Sequence, residues 1–377
     1  MTRILQVVRR IAGGVRGHVA TILRHLTNEE FEFSVACPPQ DGLLAYFTAT
    51  GAKVFPVNLG EERNPWRDWQ AVREISHIIR NEGIDLIHAH GTRAGTVSAI
   101  ASRLAGVPCL ITHHNFRYAP LKPPLRPLLA ACFRPVNRAA RRFIAVSHAL
   151  ARELQYYEGI RPERVHVIPN GINWREFDLP APFFKKEPVL GVVARLIPSK
   201  GIAYFLRSAA AVHRLCPEAR FLIIGDGPQR PFLENMARSL GLNGVLKFTG
   251  WCADIRSALA GIDLVVVPSL YEGFGITVLE AMAAARPVIA FTGGGPEEII
   301  LHGETGFLVE RGNCQALASA ALELLSDHKK ARAMGYAGRR RVAEHFNLEK
   351  MLQETVKVYR ECLENREEIF PCFQESC

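Results

Sequence analysis

The stretch "LVVVPSLYEGFGITVLEAMAAARPVIA", residues 264–290, runs strand, loop, helix, strand within a single passage. Its first four residues form an uninterrupted apolar run, as in a strand buried on both faces. A loop with Glu272, Gly273 and Gly275 follows, then a segment of helical length, then a second apolar run at 288–290. This is one β-α-β unit with parallel strands. Its helix poses a question. Val278, Leu279, Ala281, Met282, Ala283, Ala284 and Ala285 leave it apolar nearly all round, the pattern of a buried helix, yet Glu280 stands among them. A buried carboxylate needs hydrogen-bond donors. Glu272, ahead of the turn, fits an exposed loop.

The same alternation extends outward in both directions. Short apolar runs rich in Val and Ile fall at 4–8, 33–37, 54–57, 86–88, 110–112, 143–146 and 165–168, and again at 189–193, 221–224, 246–248, 264–267, 288–290 and 307–309. Segments of helical period separate them, so two α/β domains are expected, each a Rossmann-like, doubly wound parallel sheet. The proline-punctuated "FDLPAPFFKKEP" at 177–188 reads as the linker, placing the domains at 1–178 and 187–345. A last segment of helical spacing is expected over about 348–370. Two such domains face each other across a cleft at the carboxyl ends of their strands, where open α/β sheets bind ligands.

The chain has 377 residues, 48% hydrophobic and 22% charged, enough for two full cores and unlike disordered or collagen-like compositions. It lacks an apolar run long enough for a membrane span or a signal peptide, so a cytoplasmic location is expected. Nine cysteines without a C-x-x-C pair argue against a disulfide framework and a zinc ribbon. The formal charge of +9 is unevenly spread. Residues 1–28 carry five arginines and no acid, and 117–142 mixes Lys and Arg with Leu, Phe and Pro, again without an acid. That second segment suits an anionic membrane face, to which the protein would attach peripherally; nucleic acid and simple solvation are the alternatives. No recognised nucleic-acid motif accompanies it, and none is expected as a partner.

Candidate chemistry lies on the loops after strands. Gly13 and Gly14 open a helix, either for a backbone approach to phosphate or sugar or as a tight turn. "ARLIPSKG" offers Arg195 as a fork and Lys200 as a point charge for a diphosphate. "IIGDGP" carries Gly225 and Gly227, either a nucleotide contact or a generic β-α turn. Gly273, Phe274 and Gly275 form the turn before the helix whose N-terminal amides favour a diphosphate, and a ribose would supply Glu280 with two hydroxyl donors. "GGGPEE" brings Glu297 and Glu298 after a glycine turn. His88, His90, His113 and His114 invite a zinc hypothesis, but no H-E-x-x-H, cysteine ligand or D-x-D pair accompanies them, so no metal or other cofactor is expected.

Taken together, "THHN", "VSHALARELQ", "VIPNGIN", "ARLIPSKG", "IIGDGP", the 268–290 stretch with its two glutamates, and "GGGPEEIILHGETGFLV" resemble the retaining glycosyltransferases of family 4, with the GT-B fold. The resemblance runs over nearly the whole chain. It implies an acceptor-binding first domain, a nucleotide-sugar-binding second domain and a C-terminal helix that crosses back to the first. It implies that Arg195 and Lys200 hold the donor diphosphate, Glu280 the ribose and Glu272 the transferred sugar. Glu298, or its neighbour Glu297, matches the glutamate after the glycine turn, and His114 the histidine that contacts the sugar. Asn173 stands where the family usually has aspartate. The implied reaction is metal-independent transfer with retention from a nucleotide-sugar donor, by family habit a UDP-sugar, to a glycan or lipid-linked acceptor in surface polysaccharide or lipopolysaccharide synthesis. A nucleotide-sugar epimerase of the same architecture is the alternative.

Overall fold

The apolar runs become strands of two parallel sheets in the computed structural model, which describes residues 1–9, 13–40, 42–59, 64–119, 121–179, 186–252 and 254–364. The first sheet comprises β1 (Thr2–Val8), β2 (Phe31–Cys37), β3 (Lys53–Pro56), β4 (Leu86–His90), β5 (Cys109–His113), β6 (Arg142–Ala145) and β7 (Val165–Val167), in the order β3-β2-β1-β4-β5-β6-β7. The second comprises β8 (Val189–Val193), β9 (Arg220–Ile224), β10 (Leu246–Gly250), β11 (Leu264–Val267), β12 (Val288–Phe291) and β13 (Phe307–Val309), in the order β10-β9-β8-β11-β12-β13. In each sheet the chain winds outward from the first strand, returns to its other side and continues, so the winding reverses between β1 and β4 and between β8 and β11. Loops leaving those strands flank the crevice in which such sheets bind ligands.

The central strands of the second sheet are apolar throughout. Leu264, Val265, Val266, Val288, Ile289 and Ala290 are wholly buried. In the second sheet Leu190, Val192, Ile223, Val266 and Ile289 share one core with Phe205, Leu206, Leu317 and Ala321 of the covering helices.

The chain divides into two compact units, 1–169 with 351 onward, and 170–350. The dividing point thus falls at 169/170, not within the proline-rich 177–188, of which 180–185 lie outside the described residues. Local hydrogen bonds explain the shift. Ile172 N donates to Phe346 O at 3.1 Å and Leu348 N donates to Ile172 O at 3.1 Å, tying 170–173 to the second unit. Phe177 is buried, and the Arg339 guanidinium donates to its carbonyl at 3.1 Å and pairs with Asp178. The last helix spans Leu348–Glu364, with the expected 365–370 outside the described residues; its part from 351 belongs to the first unit.

Candidate functional site

In the second unit four β-α loops are locked to one another by backbone contacts. After β8, Leu196 N donates to Asp226 O at 2.9 Å, and Gln229 N donates to Leu196 O at 3.0 Å. A Cβ on Gly225 would stand 1.9 Å from Ala194 O, and one on Gly227 2.6 Å from Leu196 O. These two glycines are therefore required by the approach of the neighbouring loop. On the other side of β8, Leu270 N donates to Ser199 O at 2.8 Å, joining the β8 and β11 loops. The β11 and β12 loops meet in turn: Gly295 N donates to Glu272 O at 2.9 Å, and a Cβ on Gly295 would lie 2.1 Å from Phe274 Cα.

This framework brings the expected charged groups onto adjoining loops. Lys200 Nζ donates to Glu272 Oε2 at 2.6 Å, with both side chains partly buried. Arg195 is exposed on the loop that leads to Lys200. Gly275, at φ 112°, precedes the helix Ile276–Ala283; its carbonyl accepts from Val278 N and Leu279 N, so the amides left without an intrahelical acceptor are those of Ile276 and Thr277. Phe274 packs into the unit instead of facing the loops: it is 2% exposed, its ring edge-on to Phe346 at 5.9 Å. Glu298 is half-buried, and Glu297 is exposed. The sequence reading overlooked Arg311, which follows β13. Its guanidinium donates to Thr292 O at 3.3 Å and Gly293 O at 3.0 Å and lies 5.2 Å from the centre of the Tyr271 ring. This places another cation on the glycine turn.

Glu280 answers to the question its helix raised. Within Ile276–Ala283 only Ile276, Thr277 and Glu280 escape full burial. At spacings of three and four residues they share one helical face, so the carboxylate lies on the same stripe as the free first-turn amides. Among the described residues no hydrogen-bond donor to that carboxylate is found, and burial pushes its pKa up to about 8. Partial removal from water with no partner among the described residues favours the neutral form.

In the first unit Gly13, at φ 65°, precedes the helix Gly14–Leu26, and the space beside its Cα is open. His88 and His90 point to one face of β4, with Gln6 of β1 in register with His88. His90 Nε2 donates to Gln6 Oε1 at 2.7 Å, Gln6 Nε2 donates to the Tyr359 hydroxyl at 3.1 Å, and that hydroxyl donates to His88 Nδ1 at 2.8 Å. His88 Nε2 then donates to Thr112 Oγ1 at 2.7 Å. His114, 8% exposed, brings Nε2 within 3.1 Å of His90 Nδ1, with the two rings stacked at 5.4 Å. His18 from the first helix sets its ring edge-on to both. His113 instead stacks on Phe143 at 6.1 Å. Burial, reinforced for His88, His90 and His114 by neighbouring imidazoles and for His113 by Arg117, holds all four well below the usual histidine range, so they are neutral.

Two acids that the sequence reading passed over anchor the loop after His114. Glu153 accepts from the backbone amides of Arg117, Tyr118 and Ala119 at 2.7, 3.3 and 3.0 Å. Glu158, its side chain fully buried, accepts from Arg117 Nη1, Asn137 Nδ2 and the Tyr118 hydroxyl. The basic 117–142 segment is therefore partly consumed by the fold. Arg126 donates to Leu121 O and to the Tyr157 hydroxyl, and Arg142 pairs with Glu361. Lys122, Arg134 and Arg138 stay exposed, beside exposed Leu125 and Leu128 on the helix Leu125–Ala139. Among the described residues no helix is long and apolar enough to cross a membrane.

Family models match both units: one described as Glycosyltransferase Family 4 over residues 12–175, and one described as Glycosyl transferases group 1 over residues 175–341. The UDP-Gal:alpha-D-GlcNAc-diphosphoundecaprenol alpha-1,3-galactosyltransferase of Escherichia coli is 27% identical over 359 residues, covering 90% of this chain and 92% of its own. The alpha-maltose-1-phosphate synthase of Mycolicibacterium smegmatis is 30% identical over 76% of this chain and 81% of its own. Among solved structures, Anabaena HepE in complex with UDP-glucose superposes with a TM-score of 0.84 at 24% identity, over 96% of this chain and 100% of its own. At that identity the likeness is one of fold.

Proposed function

We propose, on the premise that the chain belongs to the group 1 glycosyl transferases of family 4, that it moves a sugar from a UDP-sugar to a hydroxyl of a lipid-linked glycan, with retention and without a metal in the reaction. The observation that carries this reading is Glu280, a half-buried carboxylate with no donor among the described residues, on the one partly open face of its helix, near the helix N-terminus. Two hydroxyls of a ribose are the donors it lacks, and the diphosphate of the same nucleotide suits the amides. Lys200, held by Glu272, and exposed Arg195 supply the opposing charge. Diphosphate oxygens compete with Glu272 for the Lys200 ammonium, and an exchange of partner frees Glu272 to accept from hydroxyls of the transferred sugar. Family likeness gives His114, in the first unit, a contact with a sugar substrate. The stabilised diphosphate leaves on the face from which the acceptor attacks and takes the acceptor's proton, so retention follows without an enzymic nucleophile. The lipid-linked acceptor of the Escherichia coli relative, matched over 92% of its length, supports the acceptor class, and the exposed Leu125, Leu128, Lys122, Arg134 and Arg138 support peripheral contact with the cytoplasmic face of a membrane.

Thermal shift with UDP-, GDP- and ADP-sugars in the absence of metal tests the donor site, because a ligand of the native state raises stability with the logarithm of its concentration over Kd. UDP-sugars are expected to raise Tm in the parent and much less in Glu280→Ala. Equal shifts in both would remove Glu280 from the site. Arg195→Ala and Lys200→Ala are each expected to lower kcat by about 10²–10³-fold, the scale for losing a donor to developing negative charge. An effect confined to KM would rule out that role.

A further inference from the structure

We infer that His18, His90 and His114 form a binding site for one divalent transition-metal ion of the zinc class, with an open coordination position. One nitrogen from each lies within 4.8 Å of the other two. Zinc–nitrogen bonds of about 2.0–2.1 Å in tetrahedral geometry set ligand nitrogens about 3.3 Å apart. His90 Nδ1 and His114 Nε2 already stand 3.1 Å apart, close to that separation, and His18 supplies the third nitrogen. The lone pair of His90 is aimed by a neighbour: Gln6 Oε1 accepts the Nε2 proton at 2.7 Å and leaves Nδ1 facing the other two imidazoles. Gln6 is held in that sense by its own donation to Tyr359. Such outer hydrogen bonds fix the ring and tautomer of metal-binding histidines. His90 and His114 are buried and rigidly placed, whereas His18 is half-buried on the helix Gly14–Leu26, which leaves an approach to the remaining coordination position. The three ligands come from a helix, a strand end and the next strand's loop, so no spacing motif announces them. His114 passes its Nε2 proton to Nδ1 or to solvent on ligation. The site rests on the geometry of the first unit alone and not on the glycosyl-transfer reading; an ion bound there occupies His114 and excludes the sugar contact assigned to it above.

The test is Zn²⁺ titration of the untagged, chelator-treated full chain by calorimetry, with Co²⁺ absorption as a second readout. One equivalent of Zn²⁺ is expected to bind with Kd below about 1 µM, and Co²⁺ is expected to give the intense visible bands of a four-coordinate ion. His18→Gln, on the half-buried helix position, and His114→Gln are each expected to weaken Zn²⁺ binding by at least tenfold while circular dichroism stays unchanged. Absence of binding at 100 µM Zn²⁺ in the parent, or parental affinity in folded His18→Gln, would overturn the assignment.

Discussion

A glutamate with no donor among the described residues is expensive to keep, and Glu280 shows the direction of the expense. An acid whose folded pKa stands above its unfolded value binds its proton more tightly when folded, so stability is greatest below about 4.5 and falls as pH rises toward about 8. Glu280→Gln removes that dependence. The variant is expected to gain thermal stability over the parent progressively between pH 5 and pH 8.5, read as the difference in Tm along a pH series. Parallel curves would show that the carboxylate is solvated after all. Ala285 marks another residue-scale constraint. It adopts φ 52°, which non-glycine residues rarely take, directly after the helix that carries Glu280. Its carbonyl lies 2.1 Å from where a Cβ on Gly335 would stand, so the two small residues fit each other.

At the scale of elements, the helix Leu125–Ala139 presents Leu125 and Leu128, 50% and 67% exposed, next to Lys122, Arg134 and Arg138. Basic and apolar side chains together suit an anionic bilayer, where each cation contributes about 1 kcal/mol and screening weakens the contact. Flotation with anionic liposomes at low salt is expected to carry the protein upward, and Leu125→Ser with Leu128→Ser to leave it at the bottom. No flotation of the parent would end the docking proposal. The elements themselves were largely legible from sequence: each apolar run named in advance became a strand, because Val- and Ile-rich stretches between helical segments admit no better arrangement. Less legible was what holds the loops. Glu153 and Glu158 look like ordinary helix-surface acids in "HALARELQYYE", since three- and four-residue spacing does not reveal that Arg117, over thirty residues earlier, will reach both. The unit boundary was misplaced for a related reason. Prolines mark where chain is irregular, whereas the pairing of Ile172 with Asn347 depends on a partner 175 residues away. His18, His90 and His114 converge through sheet order, which spacing along the chain does not encode.

For the whole molecule, the buried histidines of the first unit and Glu280 of the second pull in opposite senses in acid. His88, His90, His113 and His114 are held neutral by burial, so below about pH 6.5 the unfolded first unit takes up protons that the folded one does not. Each such group removes about 1.4 kcal/mol per pH unit until its own folded pKa is reached. Glu280 in the second unit acts in the reverse sense over the same range. Calorimetry at pH 5.5 is therefore expected to resolve two transitions, the earlier one from the first unit, where pH 7.5 shows them closer together. Spacing unchanged between the two pH values would contradict this. A different consequence follows from Tyr359, whose hydroxyl serves both Gln6 and His88 inside the first sheet. The ribosome delivers residues 2–8 well before residue 359, which follows only after all of 170–350 has been made. During synthesis the second unit is thus the first to have its whole sequence available, while in the earlier-made sheet Gln6 and His88 each wait for one of their two hydrogen bonds. Nascent chains stalled before residue 351 should leave the first unit loose and open to chaperones and proteases, and completion of the last helix is what closes it.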